Sequence, residues 1–263
     1  MKMNNVNKTL YIPLYGKALV SKKGIILSDK KAEEIWKSEK FPLKGKSKSK
    51  WLAYYMGMRS AVFDKWTVHK LNEHQNSIVL HLGCGLDSRI HRLGVSHTHW
   101  YDVDFQSVID ERKKHYKETE NYRMISADLK DSAFIEKFPT ATHAIILLEG
   151  VSMYLSNAEL QQLLATLNRK FEHLFVLVDC YTPFAAKMSK VRNPINDVGV
   201  STVFGVESPQ ILEENTGLNF IKEHEITPQY LINELHGFER FIFKFLYAGS
   251  LAKKLYKLYE YES

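Results

Sequence analysis

From Ser77 onward the chain alternates short apolar runs with helical windows, and this alternation restricts the fold more than any other feature. "SIVLHLG", "HWYDVDF", "YRMISAD", "THAIILLEG" and "HLFVLVDCY" each read as a strand. "THAIILLEG" in particular is continuously apolar rather than apolar at every second residue, as expected when a sheet is covered on both faces. The windows between them, such as "QSVIDERKKHYK" and "SNAELQQLLATLNRKF", carry helical spacing. In the second, Ser156 and Glu159 form a capping box, and Leu160, Leu163, Leu164 and Leu167 make an apolar stripe. Strands alternating with helices predict an α/β fold with a doubly wound, mostly parallel sheet. "LNFIKEHEIT" reads as one more strand, "PQYLINELHGFERFIFKFL" as a helix, and "LYKLYEYES" as a last edge strand.

The chain up to about Asn72 reads as mainly helical. Asp29 is placed to cap a helix in which Ala32, Ile35 and Trp36 share a face, and a second helix covers "WLAYYMGMRSAVFDKWTVHKL". The expected organisation is an N-terminal helical cap over 1–72 and a ligand-binding α/β domain over 73–263. An inserted segment around 181–207 is expected on the substrate side, because long irregular excursions in compact domains are usually functional. Cys84 and Cys180 make no CxxC or metal-type cluster, so neither a disulfide framework nor a metal site is read, and a reducing, cytoplasmic setting is expected. The N-terminal residues have no signal-type apolar stretch. The run "AIILLEGVSMYL", broken by Glu149 and Gly150, is too short to span a bilayer. The formal net charge is +6, much of it in "KGKSKSK", Lys44 to Lys50. No aromatic platform accompanies that run. It is therefore read as a solvated loop with neither nucleic acid nor membrane as partner, or as a steering element for an acidic substrate.

In such a sheet, ligands sit beyond the carboxyl ends of the strands, where the strand order reverses. The turn after the first strand, "LGCGLDSR", is the candidate, with Gly83 and Gly85 allowing a sharp turn and close approach of backbone to ligand. A Walker loop is excluded, since no GKS or GKT follows. A dinucleotide is disfavoured by charge: Asp87, near the expected helix start, would repel a pyrophosphate that needs unopposed N–H groups. S-adenosylmethionine, with a sulfonium and an ammonium, reverses the sign of that argument. Asp104, 21 residues beyond Gly83 and ending the second strand, has the spacing of an acid that accepts from ribose hydroxyls; Asp102 and a plain helix cap are the alternatives. Asp128 and Leu129, after the third strand, are placed to meet an adenine ring. Glu149 follows an apolar run and must meet a cation or a ligand.

Together, "LHLGCGLDSRIHRL", "WYDVDFQSVIDERKK", "SADLKD" and "LLEGVSMYLS" resemble, in order and spacing, the leucine carboxyl methyltransferase family, and its bacterial tetracenomycin-type polyketide O-methyltransferase branch most of all. "TLYIPLYGKALVSKKGIILSDKKAEEI" is similar to that branch's N-terminal segment, and the resemblance covers roughly the first 180 residues. It implies a class I methyltransferase fold, with S-adenosylmethionine as cofactor and S-adenosylhomocysteine as product. It places Gly83, Cys84, Gly85 and Asp87 around the methionine and ribose parts, Asp104 on the ribose, and Asp128 and Leu129 at adenine. Glu149 falls near the cofactor amino group, and Lys17 and Arg59 on its carboxylate. Many relatives have arginine where Lys17 stands, and lysine lacks the bidentate fork.

The expected activity is methyl transfer to a phenolic or carboxylate oxygen of a small, polyketide-like molecule. A protein C-terminal carboxylate, an NAD-dependent oxidoreductase and a non-catalytic cofactor-binding module are the alternatives. No general base is assigned among the 11 histidines. His224, His236 and Tyr154 are candidates on the acceptor side, whereas "HTHW", with His97 and His99, lies at the wrong end of the sheet. Cys84 reads as a small residue that lets a ligand approach rather than as a reactive thiol. Phe184, Met188 and Phe204 either shape the acceptor pocket or belong to the core.

Overall fold

A computed structural model of the chain describes residues 9–39, 41–192 and 203–263. Among the described residues, three α-helices come first: α1 (Tyr11–Lys23), α2 (Lys30–Glu39) and α3 (Lys50–Glu73). Asp29 caps α2 by accepting from the Ala32 N–H at 2.8 Å, and Ala32 and Ile35 are buried. The alternating region then builds β1 (Ile78–Leu82), α4 (Arg89–Leu93), β2 (Trp100–Asp104), α5 (Gln106–Arg112), β3 (Tyr122–Ser126), β4 (His143–Leu148), α6 (Asn157–Lys170) and β5 (His173–Tyr181). The capping box of α6 forms as read, with Ser156 and Glu159 exchanging hydrogen bonds. After β5 come α7 (Pro183–Arg192), β6 (Asn219–Glu223), α8 (Gln229–Ile232), α9 (Gly237–Tyr247), α10 (Ser250–Lys253) and β7 (Tyr256–Glu262).

The seven strands among the described residues form one sheet in the order β3-β2-β1-β4-β5-β7-β6, with the first five parallel. β1 pairs with β2 on one side and β4 on the other, so the order reverses there and the carboxyl ends of β1 and β4 open a crevice. Both faces are covered, which is why the central strands are apolar throughout. Val79, Ile145 and Leu177 join a cluster with Leu14, Met58 and Phe63 of the N-terminal helices. Leu80, Ile146 and Val176 join a second cluster with Leu160, Leu163 and Leu164 of α6.

Two readings need correction. β7 is not an edge strand: it runs antiparallel between β5 and β6, and β6 takes the edge. Its alternation reflects two differently composed faces, both buried, with Tyr256, Leu258, Tyr259 and Tyr261 all inside. The helix read over 228–246 is two helices, because the backbone turns between Ile232 and Gly237, where Gly237 has φ +51°. The inserted segment contains α7, and its residues 193–202 lie outside the described residues.

One buried arginine fixes the crevice. Arg112, at the end of α5, donates to the carbonyls of Gly85 and Asp87 at 2.8 Å each, to Tyr122 Oη at 2.9 Å, and to the Asp102 carboxylate. Burial opposes ionisation of Asp102, yet Arg112 and His81 outweigh it and hold its carboxyl at about 2. Asp102 is therefore structural, and the turn after β1 hangs on its partner. Arg112→Met should lower unfolding free energy by about 3–5 kcal/mol in denaturant titrations, because Asp102 is left as a buried, unpaired charge. Adding Asp102→Asn should recover part of that loss.

Candidate functional site

A cavity of about 790 Å³ opens at the carboxyl ends of β1, β2, β3 and β4, beneath α1 and α3. Its wall includes every residue singled out in the sequence as a cofactor contact: Lys17, Arg59, Gly83, Cys84, Gly85, Asp87, Asp104, Asp128, Leu129 and Glu149. Their surroundings differ.

Gly83 has φ +68°, and a Cβ there would stand 2.2 Å from Val151 Cγ2. The turn therefore needs glycine for conformation and for space. Gly83 and Cys84 both donate to the Val103 carbonyl, at 2.7 and 3.1 Å, which holds the turn on the end of β2. Gly85, also left-handed, donates to Asp104 Oδ2 at 2.8 Å. Cys84 is buried, and burial pushes its thiol well above the usual range, so it is inert, as its small-residue reading implied.

Asp104 does not cap α5. Its second oxygen accepts from the Phe105 N–H at 2.8 Å, and no described cation forms an ion pair with it. Desolvation raises its carboxyl to about 6, although the Gly85 and Phe105 N–H groups pull the other way. It presents an under-compensated acceptor to the cavity. Phe105, two-fifths exposed, lines the wall beside it and was missed in the sequence. Asp128 is exposed and accepts from the Lys130 N–H at 3.0 Å, with Leu129 beside it half-buried.

Asp87 is the correction that matters most. Its Oδ2 is held by Lys17 Nζ at 2.6 Å, and its Oδ1 by the Arg89 N–H and Arg92 Nη1 at 2.7 Å each. Burial raises its carboxyl, but Arg92, Lys17 and Arg89 outweigh burial and hold it well below the carboxylate range. A carboxylate so neutralised does not repel a pyrophosphate by its own charge, so that argument against a dinucleotide fails at this residue.

Glu149 meets cations, as its burial required. It accepts from Arg59 Nε at 3.0 Å, from Ser60 Oγ at 2.8 Å and from Arg89. Arg89 and Arg59 overcome burial and hold its carboxyl at about 2. Arg59 also reaches Asp179 and Tyr256 Oη, both at 2.9 Å. Asp179, at the end of β5, additionally accepts from the Gly150 N–H at 2.7 Å. Burial, resisted by Arg59, leaves its carboxyl at about 6. Asp64 completes the set by bridging Arg89 and Arg92, and Asp29 pairs with Arg92 at 3.2 Å. The network holds Asp29, Asp64, Asp87, Glu149 and Asp179 against Lys17, Arg59, Arg89 and Arg92. One acid is in excess before Asp104 is counted, so the crevice favours a cationic ligand. Arg89, Arg92, Asp64 and Asp179 were missed in the sequence. For Asp179 the signal was available: it follows an apolar run, residues 174–178, as Glu149 follows residues 144–148.

The far half of the cavity is different in kind. Leu52, Tyr55, Met56, Met153, Tyr154, Met188, Tyr181 and Tyr247 line it. Tyr154 belongs to the cavity as expected, but His224 pairs with Glu260 at 2.6 Å between β6 and β7, and His236 is an exposed residue just before α9, off the cavity wall. His97 and His99 precede β2 and are exposed. Phe184, Met188 and Phe204 are exposed rather than core, and Met188 alone of the three lines the cavity. The "KGKSKSK" run is not merely a solvated loop. Gly45–Lys48 form a short 3-10 turn over a buried Ser47, and Lys46 stands on the cavity rim.

Comparison with known proteins follows the same lines. Residues 4–168 match the family model described as leucine carboxyl methyltransferase. Over 245 residues the chain is 26% identical to the tetracenomycin polyketide synthesis O-methyltransferase TcmP of Streptomyces glaucescens, covering 92% of this chain and 91% of that protein. A solved structure from Thermobifida fusca superposes with a TM-score of 0.56 at 14% identity, covering 94% and 93% of the two chains. The magnesium protoporphyrin IX methyltransferase of Synechocystis PCC 6803, with bound S-adenosylhomocysteine, gives a TM-score of 0.52 at 12% identity, covering 89% of this chain and 99% of that one. The fold is that of the class I methyltransferases.

The interlock of Gly83 with Val151 has a direct test. Gly83→Ala should lower stability by at least about 1 kcal/mol from the left-handed backbone alone, and by more because Val151 must move. Denaturant midpoints of Gly83→Ala alone and combined with Val151→Ala check it, the second change recovering the packing part.

Proposed function

Since the chain belongs to the leucine carboxyl methyltransferase family and is an S-adenosylmethionine-dependent methyltransferase, we propose that it methylates an oxygen of a small, flat, apolar acceptor of polyketide-like kind. When bound, the cofactor supplies a methyl group on a sulfonium sulfur, which leaves as S-adenosylhomocysteine when an oxygen nucleophile attacks in line.

The crevice fits that cofactor on its own terms. Asp104 offers an acceptor without a paired cation, suited to ribose hydroxyls, and the Gly83–Gly85 turn has no side chain to hold a ligand away. Asp128 and Leu129 are assigned to adenine. Lys17 and Arg59 are assigned to the cofactor carboxylate, each already oriented by an acid, Asp87 and Glu149. In this reading Asp87 and Glu149 act by holding those cations, and the acid that the whole network carries in excess supplies the negative field around the ligand's ammonium.

The observation that carries the acceptor reading is the aromatic and thioether wall of the far half. Such a surface takes up a planar apolar body, and the tyrosine hydroxyls orient its oxygens. Burial raises Tyr154 to about 12, so its hydroxyl donates and does not act as a base at neutral pH. His81, the one described histidine on the cavity wall, is buried against Asp102 and Arg89, and burial lowers its pKa. With no base at the acceptor end among the described residues, an oxygen that arrives ionised is favoured. That points to a carboxylate over a phenol, whose pKa lies near 10. Proximity and alignment then supply the rate.

The test is methyl transfer from S-adenosylmethionine to a matched pair of probes, a polycyclic aromatic carboxylic acid and the corresponding phenol. Esterification of the acid is expected. Transfer to the phenol alone would reverse the preference, and transfer to a peptide C-terminus alone would replace the small-molecule reading.

Asp104 gives a second test. Asp104→Ala should weaken S-adenosylhomocysteine binding by about 1–3 kcal/mol in calorimetric titration. Only the ionised carboxylate accepts from both ribose hydroxyls. Since its pKa is raised to about 6, wild-type affinity should fall as pH drops through that value. Asp104→Asn should flatten the dependence; an unchanged slope would remove Asp104 from the ribose.

A further inference from the structure

Helix α9 carries a surface that neither the cavity nor the core uses. Phe243 faces inward, fully buried against Tyr54 and Tyr247. The opposite side shows Phe238, Phe241 and Phe245, which are 75%, 69% and 77% exposed. Their spacing of three and four residues sets them on one stripe. Three phenylalanines so exposed put on the order of 400 Å² of aromatic surface in water, the size at which a patch marks an interaction site.

The charge around that stripe identifies what it meets. Glu239, the acid on α9, is already taken up by Lys50 at 2.7 Å and Lys23 at 3.4 Å, which ties the helix to the start of α3. Lys44, Lys46, Lys48 and Lys244 are exposed and form no ion pair with a described acid. Lys46 and Leu246 both stand on the wall of the cavity, so the basic turn and the end of α9 share its mouth.

We propose that this face is an interfacial docking surface for an anionic lipid bilayer. Phe238, Phe241 and Phe245 enter the headgroup boundary, the lysines meet lipid phosphates, and the cavity mouth faces the membrane. An amphipathic helix with an aromatic face and cations beside it has the composition that lies in a bilayer surface. A second copy fits worse. A two-fold contact sets the same patch against itself, and here it would bring four uncompensated lysines towards four others. The proposal departs from the expectation of no membrane partner at the level of surface contact alone; no described helix is long and apolar enough to cross a membrane. The inference does not depend on which oxygen is methylated. If the acceptor is apolar as proposed above, the same geometry delivers it from the bilayer.

The test is flotation of the full chain with vesicles of phosphatidylcholine alone and with phosphatidylglycerol added. Binding to the anionic vesicles, weakening with salt, is expected. The Phe241→Ser/Phe245→Ser variant should lose about tenfold or more in bound fraction while keeping the wild-type melting temperature and S-adenosylhomocysteine affinity. Should that variant misfold, Lys44→Glu/Lys48→Glu is expected to show the same loss on anionic vesicles only. Absence of wild-type binding to anionic vesicles would overturn the proposal. So would binding that both variants leave unchanged, or a wild-type dimer in sedimentation that Phe241→Ser/Phe245→Ser converts to monomer.

Discussion

Buried charges of alternating sign, running from Asp29 through Arg92, Asp64, Arg89, Glu149 and Arg59 to Asp179, join the N-terminal helices to the ends of the strands. Each link costs desolvation and is repaid only while both neighbours stay in place. The helices over the crevice are thus registered against the sheet by charge as well as by apolar packing. Arg59 on α3 and Lys17 on α1 reach the crevice from above because Glu149 and Asp87 hold them there from below. The excess acid that the network leaves near the ligand is a property of the whole chain of pairs, not of any one residue.

The sheet was legible in the sequence because its central strands are covered on both faces, which writes a continuous apolar run at each of them. Asp104 was legible because its distance from Gly83 is set by one strand–helix–strand unit. What could not be read were partners far apart along the chain. Asp87 looks like a free acid beside a glycine turn until Lys17, 70 residues away, is brought to it. Arg89 and Arg92 look like surface residues of a short helix, yet they are buried because Asp64 and Glu149 arrive from α3 and β4. β7 was misplaced for a related reason: alternation reports two unlike faces, and it is silent about which strands lie alongside.

The cavity joins two solvents in one volume. One part of its wall is ionic and set by side-chain ion pairs and the turn after β1, whereas the rest is apolar and carried by side chains of α3, α7, the end of α9 and Met153, Tyr154 and Tyr181. The basic turn at Lys46 and the end of α9, at Leu246 and Tyr247, meet on the wall of that same cavity.

The position of β7 bears on the order of assembly. β6 is made before β7, yet its described pairing in the sheet is to β7 alone, which also closes against β5. During synthesis, Asn219–Glu223 must therefore wait without a ladder until Tyr256–Glu262 has left the ribosome and entered the gap between β5 and β6. The parallel half of the sheet can form earlier. Tyr256, which meets Arg59 and Asp179, is delivered by that same late strand, so the crevice gains its last polar contact when the sheet closes.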